Sequence, residues 1–128
     1  GYAPVDAFDF DPQAVSVARA NARRNGVSAK IRFRRQDLTR LPCRGARKYS
    51  LICANLVSSL LLAERGRILA RLRSDGVLVA AGILKCEFAQ VQRAFAAAGL
   101  RLVASRSENE WRSGTFAWRG EEVCSSLG

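Results

Sequence analysis

Histidine and methionine are absent from the 128 residues, and lysine is nearly so: of 21 cationic side chains, only Lys30, Lys48 and Lys85 are not arginine. Without histidine there is no Ser-His-Asp or Cys-His catalysis and no imidazole metal ligand. Cys43, Cys53, Cys86 and Cys124 form no Cys-x-x-Cys pair, which argues against a zinc site and for free thiols in a reducing compartment. No apolar run approaches the roughly 18 residues of a membrane helix, and no basic-then-apolar leader is present. A soluble, cytoplasmic protein with neither a membrane nor a metal partner is expected. Because residue 1 is Gly, the chain reads as part of a longer translation product. Carboxylates, Asn, Lys, Tyr and backbone groups remain as the chemical inventory.

What is present is ordinary globular material, 48% hydrophobic and 25% charged, enough for one domain with a real core. The net charge of +10 favours a polyanionic partner such as RNA, although so strong a preference for arginine can equally reflect genome composition.

The stretch from Val5 to Gly26, VDAFDFDPQAVSVARANARRNG, organises the rest. Val5, Ala7, Phe8 and Phe10 read as a short buried strand, and Asp9 and Asp11 stand where it leaves the core. Asp11 suits a helix N-cap and Pro12 the first helical position, since proline has no N–H to lose there. Ala14, Val15, Ala18 and Ala22 recur at helical spacing, Arg23 and Arg24 suit the last turn, and Asn25-Gly26 closes the helix. In an open α/β sheet ligands bind outside the carboxyl ends of the strands, so Asp9 is either a ribose-binding carboxylate or a turn residue.

Further along, Lys30 to Arg35 alternates as an edge strand, followed by Asp37. Tyr49 to Ala54 is a compact apolar run predicted to be a central strand buried on both faces, ending at Asn55. Ser58 is expected to cap one helix with Leu61, Leu62, Ile68, Leu69 and Leu72 on its apolar face, and Ser74-Asp75-Gly76 to turn the chain. Val77 to Ile83 is a further buried strand, with Gly82 near its end. A helix about Glu87 to Ala98 stops at Gly99. Strands at Leu100 to Ser105 and Trp111 to Trp118 close the chain as a hairpin, with Gly114 suggesting a bulge and Trp111 and Trp118 read as packing residues. Strands alternating with helices predict an α/β fold, a doubly wound, mostly parallel sheet with a C-terminal antiparallel strand. One domain over residues 1–119 and a polar tail over 120–128 are expected.

Three segments together, AFDFDPQAVSVARANARRNGV, YSLICANL, and GIL with EW downstream, resemble the catalytic domain of the ribosomal protein L-eleven methyltransferase (PrmA) family, from about Val5 to Trp118. The resemblance implies a Rossmann-like methyltransferase fold with S-adenosylmethionine as cofactor and N-methylation of amino groups on a ribosomal protein as the activity. It implies that Asp9 binds the ribose hydroxyls, Phe10 lies against the adenine, Asp37 accepts from the adenine amino group, Leu38 closes that pocket, and Asn55 stands at the methyl-transfer centre as both catalytic and cofactor-binding residue. Ribosomal protein or ribosome is the implied partner, with RNA contact through the basic surface.

The sequence departs from the family pattern in having no glycine-rich loop, so the resemblance reads the chain as N-terminally truncated, beginning at the second strand of the fold. Ser50 stands where the family usually has Asp, and Ser74-Asp75-Gly76 where it has Pro-Gly-Gly. Three alternatives stay open: an RNA methyltransferase of the same fold, which the charge favours and the lack of an Asn-Pro-Pro-aromatic motif at Asn55 disfavours; a non-catalytic remnant that binds RNA or ribosome; and a nicotinamide dehydrogenase, for which no proton donor is visible. Because the backbone amides of a glycine loop receive the cofactor's carboxylate in this fold, the isolated 128-residue segment is expected to be inactive and to bind S-adenosylmethionine poorly. Calorimetric titration of the purified segment checks this, and low-micromolar binding would contradict it.

Overall fold

The structure is a computed structural model and describes residues 5–9, 12–26, 31–45 and 47–120. The chain divides into two units, Gly1–Leu41 and Pro42–Gly128.

In the first unit β1 (Val5–Asp9) pairs in parallel with β2 (Ile31–Arg35), Val5 opposite Ile31 and Asp9 opposite Arg35. Between them in sequence runs α1 (Pro12–Arg24), which starts at the expected proline and buries Val15 and Ala22. It ends as its last residues dictate. The Asn25 amide donates to the Asn21 carbonyl at 2.8 Å and Gly26 takes φ +70°, a conformation that costs glycine least. The proposed cap Asp11 lies outside the described residues, as do Phe10, Lys30 and the segment 121–128 of the tail.

The second unit is a four-stranded sheet in the order β3-β4-β6-β5. β3 (Tyr49–Asn55) runs parallel to β4 (Leu72–Leu84), while β6 (Trp111–Trp118) is antiparallel to both β4 and β5 (Leu100–Glu108). The mixed α/β architecture with a reversed strand in the closing hairpin matches the expectation. Between β4 and β5, α4 (Lys85–Ala97) buries Phe88, Val91 and Phe95 and gives way to Gly99 at φ +104°. Its rings meet Phe116 of β6, Phe95 edge-on at 4.9 Å and Phe88 at 6.4 Å between centroids. Such pairs add about 1 kcal/mol each beyond the area they bury.

Four local expectations are corrected. The helix after Asn55 is two short helices, α2 (Ser58–Ala63) and α3 (Arg65–Leu69), because Glu64 leaves helical geometry at φ −108°, ψ 14°. Its buried carboxylate is held by Arg67 at 2.6 Å. Ser58 is not the cap: Val57 occupies that position, and the Ser58 hydroxyl donates to Glu87 Oε1 at 2.7 Å, tying α2 to α4. Ser74-Asp75-Gly76 is not a turn but an irregularity inside β4, where the pairing jumps from Tyr49 opposite Leu72 to Leu51 opposite Val77. Finally, β3 is half-exposed rather than buried on both faces, since β4 is its one partner strand among the described residues.

The bulge expected at Gly114 is also elsewhere. The register shifts lie on the neighbouring strands, between Ala80 and Ile83 and between Leu102 and Ala104. Glycine is needed at 114 for space: a Cβ there would stand 2.8 Å from Phe116 Cε2 and 2.9 Å from Phe88 Cζ. Both rings are about 1% exposed and cannot swing away. Gly114→Ala is therefore expected to destabilise the fold by about 1–3 kcal/mol through overpacking, despite the backbone entropy it removes. The check is a lowered urea midpoint with an unchanged m-value.

Candidate active site

Asn55 is the last residue of β3, opposite Ala81 of β4, and the Leu56 amide continues the ladder by donating to the Ala81 carbonyl at 3.2 Å. The next residue of β4, Gly82, takes φ +81° within the register shift, and a Cβ on it would lie 2.6 Å from Asn55 Oδ1 and 3.3 Å from the Leu56 carbonyl. The Asn55 side chain thus rests against bare backbone. Only glycine leaves it that room.

Trp111 stands at the start of β6, opposite Leu84, with 45% of its surface exposed, and Val57 precedes α2 with 61% exposed. Asn55, Leu56, Val57, Gly82 and Trp111 line a hollow of about 440 Å³. None of these side chains titrates at accessible pH. The hollow offers one neutral amide, able to accept and to donate, framed by apolar walls and an aromatic ring. That combination can hold and aim a neutral nucleophile but cannot take its proton.

In the first unit Asp9 closes β1 opposite Arg35, and Asp37 follows two residues beyond Arg35. Both acids therefore sit at the carboxyl ends of adjacent parallel strands, as expected. Asp37 caps a single 3-10 turn, Leu38–Arg40, through Oδ1, which accepts from the Thr39 amide at 2.9 Å and the Thr39 hydroxyl at 2.7 Å. Its Oδ2 stands 3.7 Å from Arg40 Nε. Asp37 thus caps the turn, and the cap fixes the direction of its carboxylate. Leu38 opens that turn half-buried. Phe10 lies outside the described residues.

Trp111 was not anticipated as part of a site. The signal was available: an antiparallel last strand begins at the end of the sheet where its parallel neighbour finishes, so its first side chain falls beside the strand-end residues. Trp118 does pack, its indole N–H donating to the Arg73 carbonyl at 3.0 Å.

Comparison with known proteins agrees with the architecture. The family described as "Ribosomal protein L11 methyltransferase (PrmA)" matches residues 1–117. A ribosomal protein L11 methyltransferase from Symbiobacterium thermophilum is 33% identical over 111 residues, covering 87% of this chain and 35% of the relative, so the chain spans about a third of the length of such relatives. Among solved structures, a ribosomal protein L11 methylase from Lactobacillus delbrueckii subsp. bulgaricus superposes with a TM-score of 0.82 at 22% identity, covering 94% of this chain and 60% of that one. An RNA methyltransferase from Salinibacter ruber, solved with S-adenosyl-L-homocysteine, superposes at 0.64 with 17% identity, covering 90% and 66%. The two superpositions establish a Rossmann-like methyltransferase fold, and the sequence match is the more specific finding: the chain belongs to the ribosomal protein L11 methyltransferase (PrmA) family.

Proposed function

We propose that the protein carrying this chain is a cytoplasmic, S-adenosylmethionine-dependent methyltransferase that methylates amino groups of a ribosomal protein. Family membership and the matched relatives' names support the reaction class. The observation that carries the site is the Asn55 amide held against Gly82 in an apolar, uncharged hollow beside Trp111.

The residues suit the group they are asked to hold. When bound, S-adenosylmethionine supplies an electrophilic methyl on a sulfonium sulfur. Asn55 holds the cofactor's methionine part or the incoming amine by its amide, without protonating the nucleophile, and Val57 and Trp111 limit water around it. Methyl transfer to a neutral amine is an in-line displacement that needs alignment and a dry pocket more than acid-base groups. By the family resemblance Asp9 would accept from the ribose hydroxyls and Asp37 from the adenine amino group, with Leu38 and, outside the described residues, Phe10 beside the nucleoside. The proton of a lysine substrate passes to solvent. Contact with ribosomal RNA through the arginine-rich surface accompanies the same reading.

Asn55→Ala in the full-length protein is expected to lower kcat for methyl transfer to ribosomal protein about 100-fold, the loss typical of a misaligned attack. Gly82→Ala, which displaces the amide without deleting it, shifts kcat in the same direction. Wild-type turnover by both variants would remove Asn55 from the centre. Radiolabelled methyl recovered in RNA rather than protein would instead favour an RNA methyltransferase.

A further inference from the structure

The first unit carries a second hollow, of about 280 Å³, lined by Arg19 and Arg23 of α1 and by Ile31 and Phe33 of β2. It lies along the helix and the first half of β2, whereas Asp37 follows that strand's carboxyl end. The groove is therefore separate from the carboxylate edge assigned to the nucleoside.

Its chemistry is specific. Arg19 and Arg23 are one helical turn apart, so their side chains share a face. The Arg19 guanidinium donates to the Phe33 carbonyl at 3.1 Å, which holds the group over the groove and leaves its other N–H donors available. Neither arginine has a carboxylate partner among the described residues, in contrast to Arg32 of the same strand, which is held by Asp6 at 2.6 Å. Between the two cations lies a half-exposed floor of one aromatic and one aliphatic side chain, Phe33 and Ile31.

Two guanidinium groups, one of them held in place, beside an accessible ring suit a ligand that alternates anionic and flat apolar parts. Guanidinium forks match phosphate oxygens, and an aromatic face stacks an unpaired base. We infer that this α1–β2 groove binds single-stranded RNA, with Arg19 and Arg23 on the phosphodiester backbone and Phe33 against a base. An acidic protein segment would satisfy the cations but leave the ring unused. The inference deepens the ribosome-directed reading by naming the RNA-contacting face, yet it needs no methyl transfer to be tested.

The experiment is a titration of the full-length protein with short fluorescein-labelled polyuridine, without cofactor, over a range of salt concentrations. Losing two phosphate contacts from a single strand reduces the salt slope by about 1.4, which at 0.1 M salt corresponds to about 25-fold weaker binding. That is the result expected for Arg19→Ala with Arg23→Ala. Arg93→Ala with Arg101→Ala removes the same charge from exposed positions of the second unit and is expected to change affinity less than about threefold. Since Arg19 also bonds to β2, Arg23→Glu alone provides a variant without a lost internal hydrogen bond, and it too is expected to weaken binding. Equal losses in the groove and control variants, unchanged binding on Arg23→Glu, or equal displacement of the RNA by polyglutamate would each overturn the assignment. Because cofactor is absent, failure here leaves the methyltransferase reading standing, and failure of that reading leaves this one standing.

Discussion

The second unit depends on how β4 passes two partners at once. Along β3 it is parallel and along β6 antiparallel, and between Ala80 and Ile83 it carries one residue more than β6 can match. Gly82 absorbs the excess at φ +81°, a region closed to side chains that crowd the following carbonyl. The alternation that buried Leu78 and Ala80 then restarts at Ile83, which is 0% exposed. One backbone irregularity thereby returns the strand to its core and opens the space in which Asn55 lies. Core continuity and site geometry are two consequences of one missing Cβ.

The other wall of that site is fixed through packing on the opposite side of β6. Gly114 admits Phe88 and Phe116 to close approach, and the Ser58–Glu87 hydrogen bond joins α2 to the same helix that supplies Phe88. The Lys85 amide donates to the Glu110 carbonyl at 2.9 Å, locking the start of α4 to the residue before Trp111. Trp111 is held by its backbone at the sheet's end, where 45% of its surface stays exposed. The backbone position of the aromatic wall is therefore fixed by helix-sheet packing.

Elements with a strong period or a marked end were legible. The helix starting at Pro12, the stop at Gly99 and the β5–β6 hairpin follow from proline geometry, glycine conformation and alternation, all of which act within a few residues. Asp9, Asp37 and Asn55 were legible as strand-end residues because that position depends only on where an apolar run stops. What escaped had two sources. Glu64 breaks locally a helix whose leucines alone would run on, its carboxylate held by Arg67 three residues ahead, whereas Ser74–Gly76 is absorbed into β4 by its pairing with β3, and the half-exposure of β3 reflects strand pairing, which an apolar run does not encode. Trp111 escaped for the strand-pairing reason: its neighbour Gly82 is far away in the chain, and a tryptophan at a strand start reads locally as core.

The separation of charge from the hollow follows from the same architecture. On the methyltransferase reading the donor is cationic, so a fixed guanidinium about 5 Å from its sulfonium would oppose binding by about 3 kcal/mol at an effective dielectric of 20. In a chain of net charge +10 that hazard is real. Arg112, next to Trp111, is drawn off to the helix side of the sheet: its guanidinium lies 4.4 Å over the Phe88 ring and donates to the Ser105 hydroxyl at 2.7 Å. The hollow keeps a neutral lining, while Arg19 and Arg23 of the first unit have no carboxylate partner among the described residues. A basic exterior and an uncharged hollow are compatible because a sheet sends neighbouring residues of one strand to opposite faces, and here residues 111 and 112 make that division.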